Sequence, residues 1–105
     1  MRIKAEVKMS KTPSKILEYC IEYTTAAEKF FQKHEEVREK YRDAVRSLMT
    51  GHPEKVDAKK IKGAAGDFYR IRIGKYWVIY TVINGKIVVI RAIAAGSRGD
   101  IYKKL

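Results

Sequence analysis

A single cysteine, Cys20, leaves this chain without an internal disulfide, which excludes the stapled frameworks of small secreted domains. Its apolar neighbours Ile16, Leu17 and Ile21 mark it as a small core residue and not a nucleophile. Only two histidines occur, His34 and His52, and neither has a partner at metal-ligand spacing, so no metal and no cofactor are implied. No apolar run is long enough to span a bilayer, and the N-terminus alternates charged and apolar residues where a signal peptide would carry an apolar core. These absences point to a cytoplasmic protein. Internal repeats and low-complexity segments are also missing, and 105 residues with 46% hydrophobic content make one domain over 1–105. Acidic residues are scarce too, at 12 against 23 lysines and arginines, for a formal net charge of +11. That balance favours a polyanionic partner: nucleic acid, an acidic protein or an anionic surface.

What is present is organised around residues 67–94, DFYRIRIGKYWVIYTVINGKIVVIRAIA, which read as three consecutive antiparallel strands. Gly74-Lys75 suits a type II′ turn and Asn84-Gly85 a type I′ turn. Two-residue turns at both places pair Arg72 with Trp77 and Arg70 with Ile79, then Trp77 with Ala92, Ile79 with Ile90 and Thr81 with Val88. Alternation then gathers Arg70, Arg72, Trp77, Ile79, Thr81, Val88, Ile90 and Ala92 on one face. The other face collects Tyr69, Ile71, Ile73, Tyr76, Val78, Tyr80, Val82, Ile87, Val89 and Ile93, and is the expected core. Arg91 is the odd charge on that core face, expected at its rim beside a helix carboxylate.

Ahead of this sheet, residues 2–9 alternate strictly between charged and apolar and predict a further strand that joins it. A helix is expected to begin with Thr12 as N-cap and Pro13 at its first position, with Ile16, Leu17, Cys20 and Ile21 as its apolar stripe. Thr25-Ala26-Ala27-Glu28 has the form of a capping box, so a second helix is placed over about 26–49, with a break near Lys33-His34 as the alternative. Gly51 and Pro53 end it. His34 falls on its apolar stripe as a hydrogen-bonded or interface residue and not a catalyst, and His52 in an exposed loop. A lysine-rich connector and a glycine-containing tail flank the strands. The architecture is thus α+β, in the order β-α-α-β-β-β, an antiparallel sheet with a helical hairpin packed on one face.

The order of these pieces, and above all KKIKGAAGDFYRIRIGKYWVIYTVINGKIVVIRAIAAGSRGDIY over 59–102, resembles the RelE/ParE superfamily of toxin–antitoxin toxins. The shared pattern is a basic segment, a YRIRxG strand, a YRVIY-type strand, an apolar third strand and a terminal R-x-x-x-Y. The resemblance implies a toxin neutralised by a small RelB-like antitoxin in a hetero-oligomer, and leaves its target open: RelE-like members cleave mRNA on the ribosome, whereas ParE-like members poison DNA gyrase. A member acting by binding alone is a third possibility. By position, Arg70, Arg72, Arg98 and Tyr102 fall on the catalytic residues, and Lys60 and Lys62 on the basic segment. Trp77 stands where many RelE-type nucleases carry an arginine, and Ser97 and Gly99 where many carry a histidine or a further basic residue.

The implied chemistry is attack of a ribose 2′-OH on the adjacent phosphate, which restricts it to RNA. Arg70, Arg72 and Arg98 suit charge stabilisation and bidentate phosphate contact, and are poor proton acceptors. Tyr102 can serve as the base where nearby arginines lower its pKa from about 10. Lys60, Lys62 and Lys75 would bind the RNA backbone. Trp77, opposite Arg72, would stack on a base or on an arginine.

Overall fold

Six strands and three helices follow one another as β1 (Lys4–Met9), β2 (Glu18–Tyr23), α1 (Thr25–Lys33), α2 (Glu35–Met49), β3 (Ala58–Lys60), β4 (Phe68–Ile73), β5 (Tyr76–Ile83), β6 (Val88–Ser97) and α3 (Arg98–Lys104), with a 3₁₀ turn at Pro53–Lys55. These are the elements of the described residues of the computed structural model, 4–9, 18–61, 67–84 and 87–104, the side chains of residues 4–9, 18 and 102–104 excepted. One sheet runs β1-β2-β6-β5-β4-β3, antiparallel except where β2 lies parallel to β6. The α+β class and the helix pair on one sheet face agree with the sequence.

The expected first helix does not form where Cys20 and Ile21 stand: both belong to β2. Residues 19, 21 and 23 explain why. Tyr19, Ile21 and Tyr23 alternate onto one face and are 3%, 0% and 0% exposed, so a period of two buries more bulk here than a helical stripe would. The strand also makes the sheet mixed, because it docks parallel to β6. Residues Thr12, Pro13, Ile16 and Leu17 of that expected helix lie outside the described residues. β1 joins the sheet as expected, through β2.

Thr24, one residue before the predicted capping box, is the N-cap of α1: its hydroxyl accepts from the Ala27 N–H at 3.2 Å. The helical stretch then breaks at His34, the alternative position, and α2 begins at Glu35. At its far end the His52 N–H donates to the Ser47 carbonyl at 2.8 Å and the Gly51 N–H to Leu48 at 3.4 Å. Gly51 takes φ 84°, so this is a Schellman ending in which a left-handed glycine closes the helix. α1 packs on β6 and α2 on β4, and between them Phe31, Tyr41 and Val45 meet Tyr23, Ile71, Val78 and Ile90 in the main core. Truncating a ring such as fully buried Phe31 to alanine would cost about 3–5 kcal/mol.

The β4–β5 hairpin has the expected register: Arg72 faces Trp77, Arg70 faces Ile79, and Gly74 holds φ 59° as a type II′ turn demands. The next hairpin does not. Ile83 pairs with Val89, six positions on, so the connection is longer than a two-residue turn. The shift is odd, which moves alternate residues to the opposite face. Ile90 and Ala92, and Val88 beside them, therefore join the helix-covered core, while Val89 and Ile93 leave it. Arg91 leaves with them. It lies opposite Thr81 and binds Glu22 of neighbouring β2 at 2.9 Å, a strand partner instead of a helix carboxylate.

A bulge corrects the slip further along. Between Ile79 and Tyr80 the partner on β6 jumps from Ala94 to Ala92, leaving Ile93 unpaired. Thr24 closes the gap, its hydroxyl donating to the Ile93 carbonyl at 2.6 Å and its N–H to Ala92 at 3.0 Å. Beyond the bulge the small residues Ala94 and Gly96 face Ile79 and Trp77. Into that shallow area α3 lays Ile101, fully buried against Ile79 and Ala94 with Trp77, Phe68, Ile61 and Ile93 around it. The second sheet face is thus partly roofed by a C-terminal helix that the tail composition did not announce.

Candidate nucleic-acid interface

Strand alternation alone puts Arg70, Arg72 and Trp77 on the α3 side of the sheet, and the start of α3 brings Arg98 to them. Trp77 is half-buried, and two cations lie over its ring: the Arg70 guanidinium carbon at 4.7 Å from the ring centroid and that of Arg98 at 5.6 Å. Of the two stacking roles open to it, the tryptophan here takes the arginine-stacking one.

The arginines differ in their settings. Arg70 has a side chain only 14% exposed, and its Nη1 lies 3.2 Å from the Asp57 carboxylate and 3.4 Å from the Asp57 carbonyl. The same carbonyl accepts the Arg72 N–H at 3.0 Å. Arg72 and Arg98 are exposed. Arg72 borders a cleft of about 330 Å³ that Lys40, Lys55 and Asp57 also line. Asp57 therefore sets one arginine by its side chain and the next by its backbone. Sequence reasoning missed it; its only signal was an acid inside the lysine-rich connector.

The lysines divide between the two faces. In β3, Lys59 pairs with Arg70 and Lys60 with Tyr69, so the exposed Lys59 shares the arginine face and Lys60 belongs to the opposite register. Lys60 reaches Asp67 at 3.2 Å. Lys62 lies outside the described residues. Lys75 sits in the β4–β5 turn with its Nζ 5.4 Å from the Tyr76 ring centroid, on the helix side of the sheet. Tyr102 follows Arg98 by four residues in α3, and its side chain lies outside the described ones. Among the described residues, no group of three His, Cys, Asp or Glu side chains is placed to hold a metal ion. Burial pushes the Tyr19 and Tyr41 phenols up, and Tyr80 up to about 12 with help from Tyr69, which suits them to structure and not to proton abstraction.

The histidines are settled by their surroundings. His34 stacks on Phe30 at 4.3 Å between ring centroids and tilts against Tyr76 at 4.9 Å, an interface residue. His52 is exposed, with Nδ1 3.4 Å from Glu54. Arg38 was not singled out in the sequence. It is 3% exposed between the helices, and binds both Glu28 oxygens at 3.0 Å each. No helix among the described residues is long and apolar enough to cross a membrane.

Comparison with known proteins places this geometry. A family model described as the ParE toxin of a type II toxin–antitoxin system, parDE, matches residues 7–99. A protein assigned as the toxin RelE1 of Methanocaldococcus jannaschii is 37% identical over 67 residues, 61% of this chain and 71% of that protein. Among solved structures, the RelB-RelE antitoxin–toxin complex from Methanococcus jannaschii superposes with a TM-score of 0.54 at 26% identity, over 79% of this chain and 96% of its counterpart.

Proposed function

The chain belongs to the ParE toxin family of type II toxin–antitoxin systems, and on that premise we propose that it is a RelE-like endoribonuclease that cleaves mRNA on the ribosome without a metal and is restrained by an antitoxin. The observation that carries this reading is the convergence of Arg70 and Arg98 on Trp77, with Arg72 directly opposite in the strand register. A cluster of cations around a half-buried ring, on a protein of net charge +11, is built to receive a polyanion.

In the reaction, a base takes the 2′-OH proton and O2′ attacks the adjacent phosphorus. The bond to O5′ breaks, and the departing oxygen takes up a proton, leaving a 2′,3′-cyclic phosphate and a 5′-hydroxyl. Arg72 and Arg98, both exposed, are assigned to the phosphorane charge. Arg70, held by Asp57, is assigned to fix the phosphate and the tryptophan. Tyr102 is assigned as the proton acceptor. Lys59 joins Lys60, Lys62 and Lys75 as contacts to the RNA backbone, because it shares the face of Arg70.

The solved archaeal complex pairs RelE with RelB. By the same logic this chain would pair with an acidic or amphipathic antitoxin in a hetero-oligomer, in the cytoplasm where ribosomes work. Incubation with ribosomes programmed with an end-labelled mRNA tests the assignment. Arg72→Ala and Arg98→Ala should each lower cleavage about 100-fold or more if they stabilise developing charge, and unchanged rates would remove them from the reaction. A ParE-like action on gyrase is the second reading, favoured by the family model that matches and by Trp77 at the place of a common nuclease arginine. Loss of gyrase supercoiling with intact mRNA would select it.

A further inference from the structure

We propose that the groove between α1 and the sheet end that bears Tyr76 and Ser97 is a second subsite for single-stranded RNA. It would take one base and its phosphate next to the arginine–tryptophan corner. The groove encloses about 710 Å³, and Ala95 and Gly96 of β6 contribute to its lining. Three half-buried rings border it: Phe30 and His34, stacked at 24° between planes, and Tyr76, whose ring meets Phe30 at 5.3 Å and 70°. Lys29 and Lys33 line it from successive turns of α1, and Lys75 lies over the Tyr76 ring.

The lining favours a base over a protein segment. Among the described residues, no aliphatic side chain larger than alanine lines the groove, so an amphipathic helix would find there no pocket for leucine-like anchors. Rings beside cations are instead the combination that single-stranded nucleic acid uses, stacking bases while the phosphates run along the lysines. Asp100, at the start of α3, is the only carboxylate in the lining among the described residues. Position adds to this. Tyr76 and Trp77 are consecutive in β5 and project to opposite faces, and Ser97 of the groove precedes Arg98 of the corner. A strand rounding the β4–β5 turn past Lys75 would touch both sites. The subsite deepens the ribonuclease reading and rests on it for its substrate.

The test uses fluorescence anisotropy with labelled oligoadenylate and its abasic counterpart, on the full chain and on His34→Leu and the double variant Lys29→Gln/Lys33→Gln. Loss of one stacking ring, at about 1–3 kcal/mol, should weaken oligoadenylate binding about 5- to 150-fold and leave the abasic strand unaffected. The lysine variant should lower the slope of log K against log salt by about 1.4, at about 0.7 per phosphate contact on a single strand. The surface lysines keep the test intact if His34→Leu fails to fold. Unchanged oligoadenylate affinity and salt slope in folded variants would overturn the proposal. So would unchanged RNA binding with loss of binding to an acidic antitoxin peptide, which would make the groove a protein site. Ribosomal mRNA cleavage is read separately. Its presence alongside a failed binding test sinks the subsite alone, and its absence alongside normal groove binding sinks the ribonuclease reading alone.

Discussion

Arg38 is the charge this fold has the least reason to bury, so its removal is the sharpest probe of how the helices are held. Its side chain is 3% exposed, its guanidinium grips Glu28 through two 3.0 Å contacts and approaches Glu35 at 3.2 Å, and it lies 5.2 Å from the centre of the Tyr23 ring. Burial works to lower the Arg38 pKa, but Glu28 and Glu35 outweigh it and hold the value above the ordinary one, so the charge stays. Arg38→Met removes one member of a buried pair and takes from Glu28 both of its contacts to the guanidinium, a change that costs about 3–5 kcal/mol. Glu28 keeps 16% exposure and can recruit water, which places the expected loss near the lower end, about 3 kcal/mol. At about 4–8 °C per kcal/mol for a domain of this size, Tm should fall by about 12–24 °C. Urea unfolding of Arg38→Met, Glu28→Gln and the double variant gives the coupling directly. The double variant should be more stable than the sum of the singles predicts, by about 2 kcal/mol. Strict additivity, or an Arg38→Met variant within about 0.5 kcal/mol of the parent, would show that the pair does not hold the helix joint.

Three further outcomes follow from the geometry. Thr24→Val should cost about 1–2 kcal/mol in urea unfolding, since it loses both the α1 cap and the hydroxyl bond to the bulge carbonyl of Ile93; an unchanged midpoint would refute the role of Thr24 in the bulge. Tyr80 has its pKa raised from 10.0 to about 12, so the unfolded chain ionises first and stability falls as pH climbs from 10 to 12. Tyr80→Phe should remove about 2–3 kcal/mol of that alkaline loss, read as the difference between unfolding free energies at pH 9 and pH 12; parallel profiles for the two proteins would contradict it. Trp77→Leu should keep the fold, because Leu can still contact Ile101, yet weaken RNA binding about 5- to 30-fold as the two guanidinium groups lose their shared platform.

How far the sequence can be read here depends on how local the deciding interaction is. The β4–β5 register was legible because Gly74 dictates the turn and the turn dictates the pairs, which puts Arg70, Arg72 and Trp77 on one face. Asn84-Gly85 promised the same for the next hairpin, but the register there is set further away, where Thr24 bonds the Ile93 bulge from a separate element. That long-range contact reversed the placement of Ile90, Ala92 and Arg91. Residues 18–23 read as part of a helical stripe, and what decides for a strand is not local: the place beside β6 and the main core behind it. For the candidate site, the arginines were visible as charges on an otherwise apolar strand face. Asp57 was not, because its carbonyl and carboxylate act through a chain crossing that no spacing records. Lys59 was passed over for Lys60 because facing in β3 is fixed only once that short strand is paired.

The central claim, cleavage of mRNA on the ribosome, is tested most directly by primer extension across an mRNA held in an initiated ribosome, with the protein added and its fold verified by thermal melting. The account predicts new reverse-transcription stops at 5′-hydroxyl ends of the downstream fragment, present only with ribosomes, and strongly reduced for Arg72→Ala and Arg98→Ala. Full-length mRNA at concentrations where the same preparation blocks gyrase supercoiling would contradict it.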